Sequence, residues 1–320
     1  MFTRSLFSLY FTVITISLSY GQKGKLVDTK LVSESVSKIR IDNNHNYIAI
    51  GESPKNPLDY DSKNEEFNIS LFSSNDLDSK KILKGHLSGI SSLEFSSDSE
   101  KLLSSDKDGI IILWDLLKDT QISKIKLKKW VHKALFTSSN NEFVTTLKYE
   151  KKGFLYDLSG NLIFEFDVGK QINDFIINQI KNEIIFGCYD EIQVWSLISR
   201  KKIKTIPYKG IMTMEFNHNF SEIAIGRSSG EISLLSPELE PIGMLIGHFK
   251  PVLDISYSFD DKMLCSGSSD QTIRSWNLSK SKETLQLVNQ HKGTVYAVEF
   301  ISEKNGFISG GKNNQINFWK

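Results

Sequence analysis

A histidine stands 28 residues ahead of a tryptophan three times in this chain, as His86 with Trp114, His248 with Trp276, and His291 with Trp319. One spacing recurring three times marks a repeat array, and a repeat constrains the fold more tightly than any local propensity. It also assigns a structural role to half of the six histidines.

Alignment on the tryptophans brings out weaker copies. Phe72, Trp114, Tyr156, Trp195, Leu235, Trp276 and Trp319 follow one another at steps of 42, 42, 39, 40, 41 and 43 residues. Seven units with a period near forty match the length of a four-stranded propeller blade. Each unit carries an inner run with three fixed apolar positions, as in Val295, Val298 and Phe300 or Ile90, Leu93 and Phe95. Short β-rich runs follow, separated by tight-turn residues such as Asp108-Gly109 and Ser229-Gly230. No sustained helical period occurs, so the expected class is all-β. The spacing predicts a seven-bladed propeller of four-stranded antiparallel blades over 22–320. The blades fall at about 34–84, 85–128, 129–168, 169–207, 208–246, 247–289 and 290–320. The last blade ends one strand short, and the spare strand at 25–32 is expected to complete it and close the ring, because an open array would expose sheet faces and edges.

The first residues read differently. Met1–Arg4 carries one positive charge, Ser5–Tyr20 is uncharged and apolar, and small residues follow at Ser17, Ser19 and Gly21. That order predicts a secretory signal peptide over 1–21, cleaved after Ser19 or Gly21. The protein is then secreted or periplasmic, with no stable membrane span after cleavage; an uncleaved N-terminus would make it cytoplasmic. Net charge is +1 and falls to zero once Arg4 is removed. This gives no general electrostatic case for nucleic acid. Cys188 and Cys265 lie in apolar strand-like segments two repeats apart, and two buried free thiols are expected.

The Gly85-His86 and Gly247-His248 starts, the Trp114-Asp115 and Trp276-Asn277 ends, and the turn segments Ser104–Asp115 and Ser266–Asn277 resemble WD-repeat (WD40) β-propellers. The resemblance covers about residues 25–320 and is strong in repeats two, six and seven. It implies that a blade is pinned by a hydrogen-bonded His, Ser/Thr, Asp and Trp. The matching residues are His86, Ser104, Asp108 and Trp114 in repeat two, and His248, Ser266, Asp270 and Trp276 in repeat six. Repeat seven offers His291, Ser309 and Trp319, with Asn313 in place of the acid. Repeat three keeps Thr146 and Glu150 but has Tyr156 for tryptophan and no clear histidine.

The residue types suit the task. A buried indole N–H needs an acceptor, a hydroxyl accepts while donating onward, and an imidazole bridges donor and acceptor. The same Ser, His and Asp set recurs in two blades, whereas a hydrolytic triad need occur only once. No nucleophile-elbow, zinc-helix or phosphate-loop pattern appears, and His45, His132 and His218 show no metal-ligand spacing. No catalytic residue, metal or cofactor is expected.

The lysines alternating at 80, 81 and 84, at 124, 126 and 128, and at 201, 202 and 204 read as protection of outer strand edges. The insertion Ser53–Glu66, with Asp59, Asp61, Glu65 and Glu66, reads as a solvated loop, since Lys63 breaks the pattern of a calcium loop. The partner-binding candidates come from the residues just after the first apolar position of each inner strand. His132, Met212, Leu253 and Tyr296 belong to that ring, and Trp130 lies beside it, out of the blade-pinning register. Resemblance places the ring at the channel mouth. The expected function is a non-catalytic scaffold that binds a protein or peptide at this face, as a monomer within a complex. The competing reading is an exported propeller enzyme or carbohydrate-binding protein using carboxylates near the mouth, Asp174 and the insertion acids among them.

Overall fold

The computed structural model describes residues 26–31, 34–54, 67–74, 80–280, 282–287, 291–301 and 306–319. The leader 1–21 and the insertion acids lie outside these residues.

Among the described residues, 28 strands form seven four-stranded antiparallel sheets. Each sheet runs outward in chain order from an inner strand: Ser35–Ile41, Ile90–Phe95, Val131–Phe136, Ile172–Asn178, Ile211–Phe216, Val252–Tyr257 and Val295–Phe300. The last sheet has only three strands from the C-terminal repeat. Its fourth is Leu26–Leu31, which pairs antiparallel with Gln315–Trp319 and closes the ring. Leu31 stands opposite Gln315, and Thr29 Oγ1 donates to Asn317 Oδ1 at 3.0 Å.

The apolar positions of the inner strands are spaced three and then two residues apart, which a regular two-residue pleat cannot produce. The structure supplies the reason. In all seven blades the register of the inner strand slips right after its first apolar residue, as between Val36 and Lys38 or Val252 and Asp254. A bulge absorbs one extra residue and restores the apolar face. Val36, Ile39, Val252, Ile255, Val295 and Val298 are all essentially inaccessible as a result.

Adjacent blades bury these faces against each other. Ile69, Leu71 and Leu83 of the first blade pack with Ile90, Leu93 and Trp114 of the second. Val36, Ile39 and Ile50 pack with Ala297, Ile308 and Ile316 across the seam between blades one and seven. Fit at that seam is close: a Cβ on Gly310 would stand 2.2 Å from Val36 Cγ1. Cys188 and Cys265 are buried free thiols, and burial pushes the Cys188 thiol up to about 12.

The edge lysines do more than repel other sheets. Lys81 pairs with Asp119, Lys124 Nζ donates to the Gly85 carbonyl at 2.8 Å, and Lys204 Nζ donates to the Glu238 carbonyl at 2.7 Å. Each contact ties one blade to its neighbour. The one described helical element is the 3-10 turn Leu278–Lys280, and no described helix is long and apolar enough to cross a membrane.

Candidate functional site

The recurring histidines sit in the clamps. In blade two, Trp114 Nε1 donates to Ser104 Oγ at 2.8 Å, Ser104 Oγ meets His86 Nε2 at 2.7 Å, and His86 Nδ1 meets Asp106 Oδ2 at 2.8 Å. The chain of donors places the imidazole proton on Nδ1. His86 ends the outermost strand of the first blade, Lys80–His86, so the clamp joins two blades.

The acid is Asp106, which corrects the expectation of Asp108. Ser104 and Asp106 lie two residues apart and share one face of their strand, so both meet the imidazole. Asp106 Oδ1 also accepts from the amides of Asp108 and Ile110, which builds the turn to Gly109 and leaves Asp108 exposed at its tip. Gly109 has φ 87°, and a Cβ there would lie 2.4 Å from the Leu127 carbonyl oxygen.

In blade six the equivalent of Asp106 is Ser268, whose Oγ donates to the Pro251 carbonyl. The acid moves two residues on to Asp270, 2.8 Å from His248 Nδ1, while Ser266 bridges His248 Nε2 and Trp276 Nε1. Burial would raise the Asp270 carboxyl, but hydrogen bonds from His248 and Thr272 outweigh it and hold the group well below the usual carboxylate range. Blade seven keeps the chain with Asn313 Oδ1 as acceptor, 3.0 Å from His291 Nδ1, and with Ser309 between His291 and Trp319.

Blade three has no such chain. Thr146 Oγ1 is buried without a partner, Glu150 pairs with Lys129, and Tyr156 stacks on Phe143. Blade four substitutes a local contact, Trp195 Nε1 donating to Gln193 Oε1 at 3.0 Å.

Of the spare histidines, His45 and His218 both pack on Phe259, and His132 lies apart from them at the other end of the channel. His45 stacks on Phe259 with ring centroids 3.6 Å apart, and His218 Nδ1 lies 2.8 Å from Asp261 Oδ1. Among the described residues no group of three or more His, Cys, Asp and Glu is placed to hold a metal.

The channel is built from the inner strands, one pleat at a time. The bulge residues form its mouth. His132, Met212 and Leu253, with Ser91 and Asn173, line a cavity of about 210 Å³ there. Tyr296 and Trp130 stand outside this lining. Trp130 is held instead by Lys107 and Lys148, whose ammonium groups lie 5.4 and 5.6 Å from its ring, and its indole N–H is buried without a partner. His132 Nδ1 is likewise buried and unpartnered, and burial pushes this imidazole down to about 4.

Two further rings were not anticipated. One pleat below the mouth are Lys38, Ser92, Lys133, Asp174, Thr213, Asp254 and Ala297. In blades two, four and six this residue bonds the inner strand of the next blade. Ser92 Oγ accepts from Ala134 N at 3.2 Å, Asp174 Oδ2 from Met214 N at 2.7 Å, and Asp254 Oδ2 from Val298 N at 3.0 Å. Asp174 also accepts from Lys133 Nζ at 2.9 Å, and its carboxyl stays low despite burial.

One pleat further down are Arg40, Glu94, Leu135, Ile176, Glu215, Ser256 and Glu299, lining a larger cavity of about 690 Å³ toward the opposite face. Arg40 lies 3.4 Å from Glu299 and 3.6 Å from Asp254. Burial pushes the Glu94 carboxyl up to about 7 and raises Glu215 and Glu299, while Arg40 opposes all three shifts. The upper ring therefore sets two lysines against two aspartates, and the lower ring sets Arg40 among three glutamates.

The comparisons with known proteins agree with this architecture. A family model described as "WD domain, G-beta repeat" (WD40) matches residues 77–115, 239–277 and 282–320. The chain is 24% identical over 259 residues to the ribosome biogenesis protein YTM1 of Candida glabrata, covering 73% of this chain and 54% of that protein. It is 22% identical over 241 residues to a guanine nucleotide-binding protein subunit beta of Oryza sativa, covering 75% and 57%. It thus spans little more than half the length of these relatives. The Cps50 (Swd1) β-propeller domain of Myceliophteria thermophila superposes with a TM-score of 0.80 at 13% identity, over 92% of this chain and 99% of that one. Seven closed blades, three histidine clamps and three repeats that match the WD40 model agree: the chain is a seven-bladed β-propeller, and its second, sixth and seventh blades are similar to WD40 repeats.

Proposed function

We propose that this propeller holds an extended protein segment at the channel mouth formed by the starts of its inner strands. The observation that carries this reading is the bulge repeated in all seven inner strands. It turns one residue per blade out of the sheet register, and at blades five and six these are Met212 and Leu253, both half-buried in the wall of the mouth cavity. Tyr296 continues the arc on blade seven at the rim. Apolar side chains that a partner can cover, surrounded by polar groups, have the composition of an interface centre.

The test is recovery of partners on the mature chain. The double variant Met212→Asp/Tyr296→Asp is expected to fold and to lose at least about ten-fold in partner recovery, since a buried apolar anchor contributes roughly 2 kcal/mol or more. Equal recovery by the folded variant would remove this face from consideration.

The same proposal places the protein outside the cytoplasm, on the signal-like order of Met1–Gly21. Mass spectrometry of the chain from its native source is expected to find an N-terminus after Ser19 or Gly21; an intact Met1 end contradicts export. The carbohydrate or enzymatic alternative gains no support from Asp174, whose two oxygens are occupied by Lys133, Phe175 N and Met214 N.

A further inference from the structure

The ring below the mouth holds two side chains with no structural duty. Lys133 is neutralised by Asp174, and Arg40 by Glu299 and Asp254. Lys38 makes no hydrogen bond and no ion pair within 4.0 Å among the described residues, although it is half-buried. Its ammonium is surrounded by Arg40, Lys133, Asp174 and Asp254, and both carboxylates are already engaged. Thr213 occupies the same ring and is 8% exposed; its backbone lies in the ladder opposite Gly226, and its hydroxyl makes no hydrogen bond. Above them the Nδ1 of His132 is buried without a partner. An unpaired ammonium, an unused hydroxyl and an orphaned imidazole nitrogen thus line one cavity of about 210 Å³. The costly one is the buried His132 nitrogen, since an unsatisfied polar atom in a native interior calls for an explanation, while the Lys38 ammonium and the Thr213 hydroxyl are not fully buried and remain open to a ligand.

We infer that this cavity receives the carboxylate of an acidic side chain from an extended partner segment, paired to Lys38 and hydrogen-bonded by His132 and Thr213. The inference rests on the proposed docking at the mouth and names the chemistry of what docks there. Charge decides the class. Of the charged groups lining the cavity, Lys133 is paired with Asp174 and Arg40 with Asp254 and Glu299, which leaves Lys38 as the cation without a partner, so an anion is complementary and a cation is not. An internal side chain is favoured over a chain terminus because the apolar rim continues from Met212 through Leu253 to Tyr296. A segment crossing that rim continues on both sides of the residue it inserts. His132 would serve in its neutral Nδ1–H form, since burial keeps the ring uncharged at neutral pH.

The test uses the mature propeller and the capped probe acetyl-Leu-Gly-Glu-Gly-Leu-amide, its glutamine counterpart, and the uncapped acid Gly-Gly-Leu. Binding is followed at pH 7 and low salt by NMR of the histidine and methionine side chains. The glutamate probe is expected to bind at least about ten-fold more tightly than the glutamine probe, the scale of one charge-assisted hydrogen bond. The His132 imidazole should titrate higher when that probe is bound. Lys38→Met should abolish the preference, and Lys38→Arg should restore it, which separates charge from folding. Equal binding of the two capped probes, or a preference that survives Lys38→Met, overturns the inference. So does tighter binding of Gly-Gly-Leu than of the glutamate probe, which would assign the cavity to a chain terminus. If no probe binds while Met212→Asp/Tyr296→Asp still abolishes partner recovery, the carboxylate site falls and the docking face stands. If the double variant also recovers partners normally, both fall.

Discussion

Asp106→Ala is expected to lower the unfolding free energy by about 3–5 kcal/mol, while Asp108→Ala, two residues away, changes it by less than about 0.5 kcal/mol. Both residues are aspartates in one turn, and only geometry separates them. Asp106 is fully buried and accepts three hydrogen bonds, from His86 Nδ1, Asp108 N and Ile110 N. Its removal strands the buried imidazole N–H and the buried Ile110 amide. Each such group costs roughly 1–3 kcal/mol when left unsatisfied. Asp108 is exposed and donates only its backbone amide. Asp106→Asn should fall between the two, because Asn313 performs the same task for His291 in blade seven with a neutral amide oxygen. Urea denaturation followed by tryptophan fluorescence measures all three. Equal midpoints for Asp106→Ala and Asp108→Ala would return the clamp to Asp108, the acid that the family resemblance implies.

That misassignment shows what the chain does and does not disclose before folding. The 28-residue spacing fixes which indole pairs with which imidazole through the serine between them, because the chain length from histidine to tryptophan is common to the strong repeats. Closure by residues 25–32 follows from counting strands. The acid lies at a turn, where a one-pleat choice between Asp106 and Asp108 depends on which residue ends the strand, and transferring the blade-six register to blade two obscures it.

The mouth was half legible. His132, Met212 and Leu253 do line one cavity. Tyr296 and Trp130 do not, because the ring of bulge residues fixes a level in the channel and not the direction of each side chain. The charged rings were missed for a different reason. Lys38, Lys133 and Asp174, or Arg40, Glu94, Glu215 and Glu299, come from different blades and stand 41 to 121 residues apart in the chain, and each alone looks like the polar side of an amphipathic strand. The signal was present: apolar positions spaced three and two apart imply a bulge, and a bulge brings the intervening residues into the channel.

Arg40→Met is expected to cost about 3–5 kcal/mol at pH 8, because it leaves buried carboxylates without their cation. Arg40 and Glu299 are 17% and 13% exposed at the side chain, so solvent screens them little. The pH dependence identifies the cause. Burial raises Glu94, Glu215 and Glu299 above their ordinary values, to about 7 for Glu94. A carboxyl raised in the folded state binds its proton more tightly there. Its favourable contribution is complete below the unfolded value of about 4.3 and is lost as pH rises through the folded value. Removing Arg40 raises these groups further, since its charge is the principal influence pulling each of them down. The gap between wild type and variant should therefore widen as pH rises from 5 to 8, most steeply around 7, where Glu94 loses its proton in the wild type. Asp270 has the opposite sign, losing its contribution as the solution is acidified, but it is common to both proteins and cancels in their difference. Thermal melts at pH 5, 6, 7 and 8 read the gap directly. Glu299→Gln in the Arg40→Met background should recover about half of the loss at pH 8, because it removes one of the stranded charges. A gap that stays constant from pH 5 to 8 would mean that Arg40 stabilises the channel by packing its stem, and that the carboxylate ring around it carries no proton-linked energy.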